Sequence, residues 1–401
     1  MARSEPEPEP VPGLERLLSP AGWPYASEEP VDRDDPGRFH ALFGRDAAIT
    51  SLAVLPARPD VAQATLRALA ALQGRRDDPE TDEEAGRIVH EWWRRAPAEL
   101  RRAGWPVRHG EIRYYGSADS TPWFLVLLAS LGEPSLEAEL EGAWRAAGSW
   151  LAKALERGDG LLRHGPRRSS GGLAQQGWRD AVDPADPAGH GAGILRPDGE
   201  SPRAPLADAD TQAVAVVALR ALARLSGEER WGEEAGALAA RVEEAFDPET
   251  IAVEAGGEKV PGAGSQLGWL LWADALSSPA RELAADRLCR PDVLTPWGLR
   301  TLSSEHPLFA PDAYHRGAVW PFDCWLGWGG LRAAERSAAA ERLRRGVLAA
   351  LEQLGQAPEL FAVGAGKPES IAIANRVQAW TVGARWALGY RWDGRAATLF
   401  G

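Results

Sequence analysis

The chain has 401 residues, a formal net charge of −12 with acids and bases interspersed, and only two cysteines, Cys289 and Cys324. That length allows one large domain or two to three ordinary ones. No basic patch suits nucleic acid, two cysteines make no disulfide framework, and the longest apolar run, PWFLVLLASL at 122–131, is too short to span a bilayer. No secretory signal opens the chain, so a reducing cytoplasm is the expected location, with no membrane or nucleic-acid partner.

Residues 1–12, MARSEPEPEPVP, are a Glu/Pro repeat and read as a disordered tail ahead of a single domain over 13–401. Helical text then dominates. DAAITSLAVLPARPDVAQATLRALAALQG (46–74) reads as two helices broken at Pro56 and Pro59. STPWFLVLLASLG and PSLEAELEGAWRAAGSWLAKALERG form the next pair. DADTQAVAVVALRALARLSG opens on Asp caps and closes on Gly227, and EERWGEEAGALAARVEEAF follows closely. Later helices are expected over 263–277, 278–289, 318–335, 337–354 and 374–390, for ten to twelve in all. Strand text is limited to short runs such as IRYYG and IAVEA, which suit small hairpins in connections. Helix pairs with alternating short and long connections suit a closed toroid of helical hairpins whose long loops gather at one end. A helical solenoid would read similarly, but there is no fixed repeat period.

The aromatic balance is unusual: 18 Trp against 5 Tyr and 8 Phe. Trp is costly to bury because its N–H needs a partner. Trp23, Trp105, Trp178, Trp297 and Trp320 lie in loop-like text, where flat faces could pack on sugar rings. The plain alternative is that a helical protein uses Trp as core filler.

Five stretches place carboxylates beside aromatics. In FHALFGRDAAIT (39–50), Arg45 and Asp46 stand where a loop becomes a helix; Asp46 suits a cap, and the pair suits adjacent sugar hydroxyls. EIRYYGSADSTPWF (111–124) offers Tyr114, Tyr115 and Asp119, with Ser117 or Asp119 as a plain N-cap. GGLAQQGWRDAVD (171–183) sets Trp178 two residues before Asp180, after a glycine-rich approach. YHRGAVWPFD (314–323) gathers Tyr314, His315, Trp320 and Asp323. GQAPELFAVG (355–364) flanks Glu359 with apolar neighbours that would raise a carboxyl pKa, and NRVQAW (375–380) brings Gln378 and Trp380. The acidic loop at 183–186 could hold calcium, although surface solvation explains it more simply. There is no phosphate loop, no G-x-S-x-G elbow, and no Cys/His metal spacing, since HEWW (90–93) lacks the second His of a zinc helix. No cofactor or metal is therefore expected. Carboxylates with aromatics remain, the equipment of glycoside hydrolysis.

FGRDAAITSLAVLP, TLRALAALQG, GRIVHEWW, YYGSADSTPWFLVLL, QGWRDAVD, TPWGLRTLS, YHRGAVWPFD and PELF…QAW occur in one order over roughly residues 39–390. Together they resemble the glucosidase domain of glycogen debranching enzymes, within the glucoamylase-like and mannosyl-oligosaccharide glucosidase-like inverting hydrolases. The resemblance implies an all-α, (α/α)6 barrel with long loops on one face. It implies Asp180 as general acid and Glu359 as general base, with Glu369 nearby as the alternative base. Arg45 and Asp46 would hold the terminal sugar, with Trp178, His315, Trp320, Gln378 and Trp380 around it and Tyr115 and Asp119 in the pocket. Inversion needs a water between base and sugar, so the two carboxyls should stand about 6.5–9.5 Å apart.

Only about 40 residues precede FGRD, so the β-rich N-terminal domain of many relatives is not expected, which counts against debranching of polymers. The expected activity is release of a terminal hexose, most simply glucose, from an α-glucoside or oligosaccharide. The rival is a hydrolase of glucosylglycerate, mannosylglycerate or another small glycoside, for which Arg113, Arg316 or Arg376 could meet a carboxylate. A sugar epimerase, which wants two facing histidines, or a sugar-binding relic on the same barrel are the readings of another class.

Overall fold

Two kinds of helical text alternate along the chain. One is apolar around its whole circumference, as in STPWFLVLLASL, and such a helix is stable only when covered on every side. The other repeats apolar residues every three to four positions and buries a single stripe. The computed structural model describes residues 10–29, 39–167, 172–180 and 193–400 and separates the two kinds into two layers. The acidic loop at 183–186 lies outside the described residues.

Fourteen helices occur among the described residues: α1 (Gly44–Ala53), α2 (Pro59–Ala71), α3 (Ala98–Arg102), α4 (Ser120–Leu131), α5 (Pro134–Glu139), α6 (Glu141–Arg157), α7 (Ala209–Ser226), α8 (Glu229–Ala245), α9 (Gln266–Trp272), α10 (Ser278–Leu288), α11 (Pro321–Ala333), α12 (Ser337–Leu354), α13 (Ala379–Tyr390) and α14 (Ala397–Phe400). Helices α1, α4, α7, α9, α11 and α13 form an inner ring: each packs on the next, and α13 packs back on α1. Every residue of α1 and α9 is buried, as is all of α4 except Leu131. Helices α2, α6, α8, α10 and α12 lie outside, each against its inner neighbour. Their burial is a stripe, as with Trp231, Ala235, Leu238 and Val242 of α8. The apolar side chains Val11, Leu14 and Leu17 cluster with Val61 of α2 and Val382 of α13 and cover the seam there. The architecture is an (α/α)6 barrel, all-α in class, as the sequence pattern and resemblance lead one to expect.

Helix ends follow local chemistry. Asp208 caps α7 by accepting from the Thr211 N–H at 2.8 Å, and Gly227 closes it in a left-handed conformation at φ 69°. Such a cap contributes about 1 kcal/mol. Pro59, Pro134 and Pro321 each stand at a first helical position, where a missing N–H costs nothing. Three expected helices are shorter at their N-terminal ends. Residues 318–320 are extended because Val319 exchanges backbone hydrogen bonds with Phe361 at 2.9 and 3.0 Å. The Glu359 N–H donates to the Asn375 carbonyl at 2.9 Å, which holds 375–378 extended ahead of α13. Gln266, not residue 263, starts α9, since Ser265 and Ser303 bond across to Arg300 and Ala263.

Short strands occupy the connections. β1 (Leu42–Phe43), β2 (Glu91–Trp93), β3 (Val107–Arg108) and β4 (Glu111–Tyr114) form an antiparallel sheet in the order β1-β2-β4-β3. β5 (Ala207–Asp208), β6 (Thr250–Val253) and β7 (Lys259–Pro261) form a second sheet, and β8 (Phe361–Gly364) pairs with β9 (Lys367–Ser370). IRYYG and IAVEA thus contribute β4 and β6; the β8–β9 hairpin has no counterpart among the expected strands. No helix among the described residues is long and apolar enough to cross a membrane.

The inner helices present their N-terminal ends to one face of the barrel. Arg45 and Asp46 open α1, Asp119 precedes α4, Asp208 and Asp210 flank the start of α7, Ser265 precedes α9, Trp320 precedes α11 and Gln378 precedes α13. Free N–H groups and aligned peptide dipoles make that face favourable for carboxylates.

Candidate active site

At this face lies a cavity of about 120 Å³. That is small against the roughly 300–1,000 Å³ of pockets for drug-sized ligands. Arg45, Asp46, Trp178, Asp180, His315, Trp320, Glu359, Gln378 and Trp380, nine of the eleven positions that the resemblance places at the site, line it together, with Tyr314 beside them.

The other two stand elsewhere. Tyr115 is turned away: its hydroxyl donates to the Leu72 carbonyl at 2.9 Å, which anchors the loop to the end of α2. Asp119 is fully buried behind Arg45, where it accepts from the Ser117 hydroxyl at 2.6 Å and lies 3.4 Å from the guanidinium. Ser117, not Asp119, supplies the cap of α4, accepting from the Ser120 N–H. Asp46 is likewise not a cap, since the side chain at the N-cap of α1 is Phe43. Glu369 sits on β9, about half exposed beside Lys367, and is not among the cavity residues. Arg113 pairs with Glu111 at 2.9 Å on the sheet surface, Arg316 donates to the Leu308 carbonyl, and Arg376 is exposed; none lines the cavity.

The segment carrying Asp180 is pinned rather than loose. The Gln175 side chain exchanges two hydrogen bonds with Ile194, and Gln176 accepts from Arg87 and donates to Asp82. A Cβ on Gly177 would fall 2.6 Å from a carboxylate oxygen of Asp208, so only glycine lets the chain pass the start of α7. Arg179, which the sequence reading does not single out, is 2% exposed. It donates to Asp210, Ser265 and the Thr301 carbonyl and lies over the Trp178 ring at 4.6 Å.

Asp180 then meets Arg45, whose Nη2 donates to its Oδ2 at 2.7 Å. Burial pushes the Asp180 carboxyl up to about 6; Arg45 opposes the rise and the charge of Asp119 adds to it. Burial likewise lifts Asp46 to about 7, against the pull of Arg45. Burial acts against the charge on Arg45 too, but Asp180, Asp119 and Asp46 outweigh it and hold the guanidinium protonated. His90 and His315 are driven well below the usual imidazole range by burial, with nearby arginines adding to it, and so are neutral.

Glu359 occupies a different environment. The Tyr314 hydroxyl donates to Oε1 and the Asn375 N–H donates to Oε2 at 3.1 Å. Donors to both oxygens stabilise a carboxylate. The Asn375 side chain donates to Gln378 at 2.9 Å, and Gln378 reaches Asp46 at 3.5 Å, which links this carboxylate to the opposite wall. Around it, the His315 and Trp320 rings stack at 5.2 Å, and Trp178 meets both edge-on.

Several polar atoms of the wall are buried with no hydrogen-bond partner: both ring nitrogens of His315, the Trp380 indole N–H and Oδ2 of Asp46. Buried polar groups are almost always satisfied, and leaving one unmade costs about 1–3 kcal/mol. Concentrated in one cavity, these atoms are left to meet the polar groups of a ligand.

The sequence reading also misses Glu91 and His90. HEWW is a strand, not a helix, and its period of two sends Glu91 and Trp93 into the cavity while Trp92 packs outside against Trp23. Burial lifts Glu91 to about 8. Of the loop tryptophans, Trp105, Trp178 and Trp320 line the cavity. Trp23 packs on Tyr25, and Trp297 donates to the Gly366 carbonyl. Trp123, Trp269, Trp272, Trp325 and Trp328 are core filler.

An (α/α)6 barrel with a carboxyl pair and unsatisfied polar atoms around one small aromatic cavity has the equipment of a glycoside hydrolase, and its family membership makes it one. Residues 46–362 match the family described as the mannosylglycerate hydrolase MGH1-like glycoside hydrolase domain, and the chain belongs to that family. Among solved structures it is similar to the GH63 mannosylglycerate hydrolase of Thermus thermophilus in complex with Tris, at 16% identity and TM-score 0.69, over 94% of this chain and 98% of that one. The same enzyme with Tris and D-glycerate gives TM-score 0.68 at 16% identity, with coverage of 94% and 98%. An uncharacterized conserved protein from Thermus thermophilus gives 0.64 at 18% identity, with coverage of 94% and 97%. No functionally curated protein matches the chain.

Proposed function

We propose that the protein is an exo-acting, inverting α-glycosidase that releases one hexose from a small glycoside. The observation that carries this reading is the pairing of Asp180 and Glu359 across one small cavity in contrasting environments. Asp180, lifted by burial, donates its proton to the glycosidic oxygen. Glu359, which accepts from the Tyr314 hydroxyl and the Asn375 N–H, takes a proton from water as the water oxygen attacks the anomeric carbon. The bond from that carbon to the departing oxygen breaks, giving the free alcohol and a hexose of inverted configuration. Arg45, Asp46, His315, Gln378 and Trp380 hold the hexose hydroxyls, and Trp178 and Trp320 pack on the ring.

The small cavity favours a short aglycone over an oligosaccharide branch, and the family supports the same choice. Glucose and mannose are both hexoses to test. Proton NMR of the enzyme with α-glucosides and α-mannosides, mannosylglycerate and glucosylglycerate included, tests the reading. Early β-hexose is expected. Early α-hexose would require a covalent mechanism and overturn the acid and base assignments.

A further inference from the structure

Glu91 takes no part in the steps above, yet it lines the cavity and is only 4% exposed. Its backbone is fixed from both edges, since β2 pairs Glu91 with Phe43 of β1 on one side and with Tyr114 of β4 on the other. The Trp93 indole N–H, on the same face of the strand, donates to Oε2. Oε1 has no hydrogen-bond partner among the described residues.

The neighbours of Glu91 locate it within the cavity. His90, the preceding residue, brings Nε2 to 3.8 Å from Oδ2 of Asp180, and the charge of Asp180 acts on Glu91 more strongly than that of Asp46. Glu91 therefore stands on the side that carries the proposed acid. Beyond it lies the rim, where Phe39, Trp93, Leu100, Trp105 and Leu173 are half-exposed. Trp93, Leu100, Trp105 and Leu173 pack in one apolar cluster there. The acid protonates the glycosidic oxygen, so the leaving group departs between Asp180 and the rim. Glu91 lies along that path.

The carboxyl has something to offer there. Burial lifts it to about 8, so it is protonated at neutral pH. A protonated carboxyl carries one O–H, and Oε2 already receives the Trp93 N–H, which leaves the proton on Oε1. A neutral O–H donor meets a hydroxyl or a carboxylate equally without charge repulsion.

We infer that Glu91 determines leaving-group specificity: Oε1 donates a hydrogen bond to an oxygen, hydroxyl or carboxylate, that the leaving group carries on a carbon next to the one bearing the scissile oxygen. The inference rests on the proposed hydrolysis of small α-glycosides by Asp180 and Glu359 and names what the leaving group must present. A glycoside without that oxygen leaves the donor buried and unpaired, which lowers kcat/KM about 5- to 100-fold.

The test is kcat/KM for the ethyl, 2-hydroxyethyl and glycerate α-glycosides of glucose and of mannose. For the preferred hexose, the wild-type protein is expected to favour the 2-hydroxyethyl or the glycerate glycoside over the ethyl one by about 5- to 100-fold. The substrate that responds identifies the acceptor as a hydroxyl or a carboxylate. Glu91→Leu removes the donor and is expected to bring the ratio to within about twofold of one. Glu91→Gln keeps an oxygen for the Trp93 N–H and an N–H for the ligand, and is expected to retain most of the ratio. The ratio is internal to each preparation, so a residue that only supported the fold would move all the substrates together. A wild-type ratio near one overturns the inference, even where Glu91→Leu fails to fold. So does a ratio that Glu91→Leu leaves unmoved, or one that both variants lower alike. In each of those cases turnover of the ethyl glycoside leaves the glycosidase reading standing, whereas no turnover of any glycoside overturns both.

Discussion

Replacing Glu91 by Gln tests the electrostatics of the cavity on one group. Burial pushes this carboxyl from 4.5 to about 8; the Trp93 indole N–H opposes the rise, and Asp180 and Asp46 add to it. At pH 7 the group is therefore protonated in the folded protein and ionised in the unfolded chain. A value raised on folding gives stability that is fully present below the unfolded pKa and lost as pH rises through the folded one. With 4.5 and about 8, the ratio (1 + 10^(8 − pH))/(1 + 10^(4.5 − pH)) has a logarithm of about 2.9 at pH 5 and about 0 at pH 9. At about 1.4 kcal/mol per unit, Glu91 alone accounts for about 4 kcal/mol of stability lost between those two pH values. Gln keeps the shape and retains an oxygen for the Trp93 indole, so packing is preserved while the titration is removed. Urea unfolding of both proteins at pH 5, 7 and 9 measures the difference. The balance between them is expected to move by about 4 kcal/mol toward the variant from pH 5 to pH 9. Parallel curves would mean that Glu91 titrates alike in both states, and the picture of a water-poor, carboxyl-crowded cavity would be wrong.

Asp180→Asn is expected to lower kcat/KM on alkyl glycosides by about 10²–10⁴, and much less on a glycosyl fluoride, whose leaving group needs no proton. Glu359→Gln is expected to lower both; equal losses on both substrates in Asp180→Asn would remove Asp180 from the acid role. Asp180 and Asp46 stand near 6 and 7 and the acid works protonated, so kcat/KM is expected to fall as pH rises through that range, toward tenfold per unit; a profile that rises there contradicts the assignment. Arg179→Met leaves Asp210 buried without its partner and is expected to cost about 3–5 kcal/mol in chemical unfolding, with part recovered by adding Asp210→Leu. An Arg179→Met protein as stable as wild type would show that this network does not hold the Asp180 segment.

The barrel is legible where local rules act alone. Helix α12 is read at 337–354 and observed as Ser337–Leu354, because an amphipathic stripe ends on a glycine in left-handed conformation. Helix α13 reads five residues too early, because 375–378 are held extended by the pairing of Asn375 with Glu359, residues 16 apart in sequence. The same limit applies to the aromatic surplus. Composition alone does not separate Trp269, whose N–H is spent on buried Asp323, from Trp380, whose N–H has no partner and faces the cavity. Both residues sit in apolar helical text, and only the ring of inner helices decides which of them meets a ligand.

The parts of the site differ in legibility for a physical reason. Charges and rings that stand where a loop enters a helix leave a local mark such as FGRD or VWPFD, and GWRD leaves one in a loop. An apolar wall needs only hydrocarbon at the right place. Phe39, Leu100 and Leu173 carry no such mark, since each stands in text that would suit any surface loop or short helix. HEWW lies between the two cases. Read at helical spacing it is a broken metal motif; read at a period of two it places an acid and an aromatic side by side on one face. The rim of this cavity is thus written in tertiary structure rather than in any local motif.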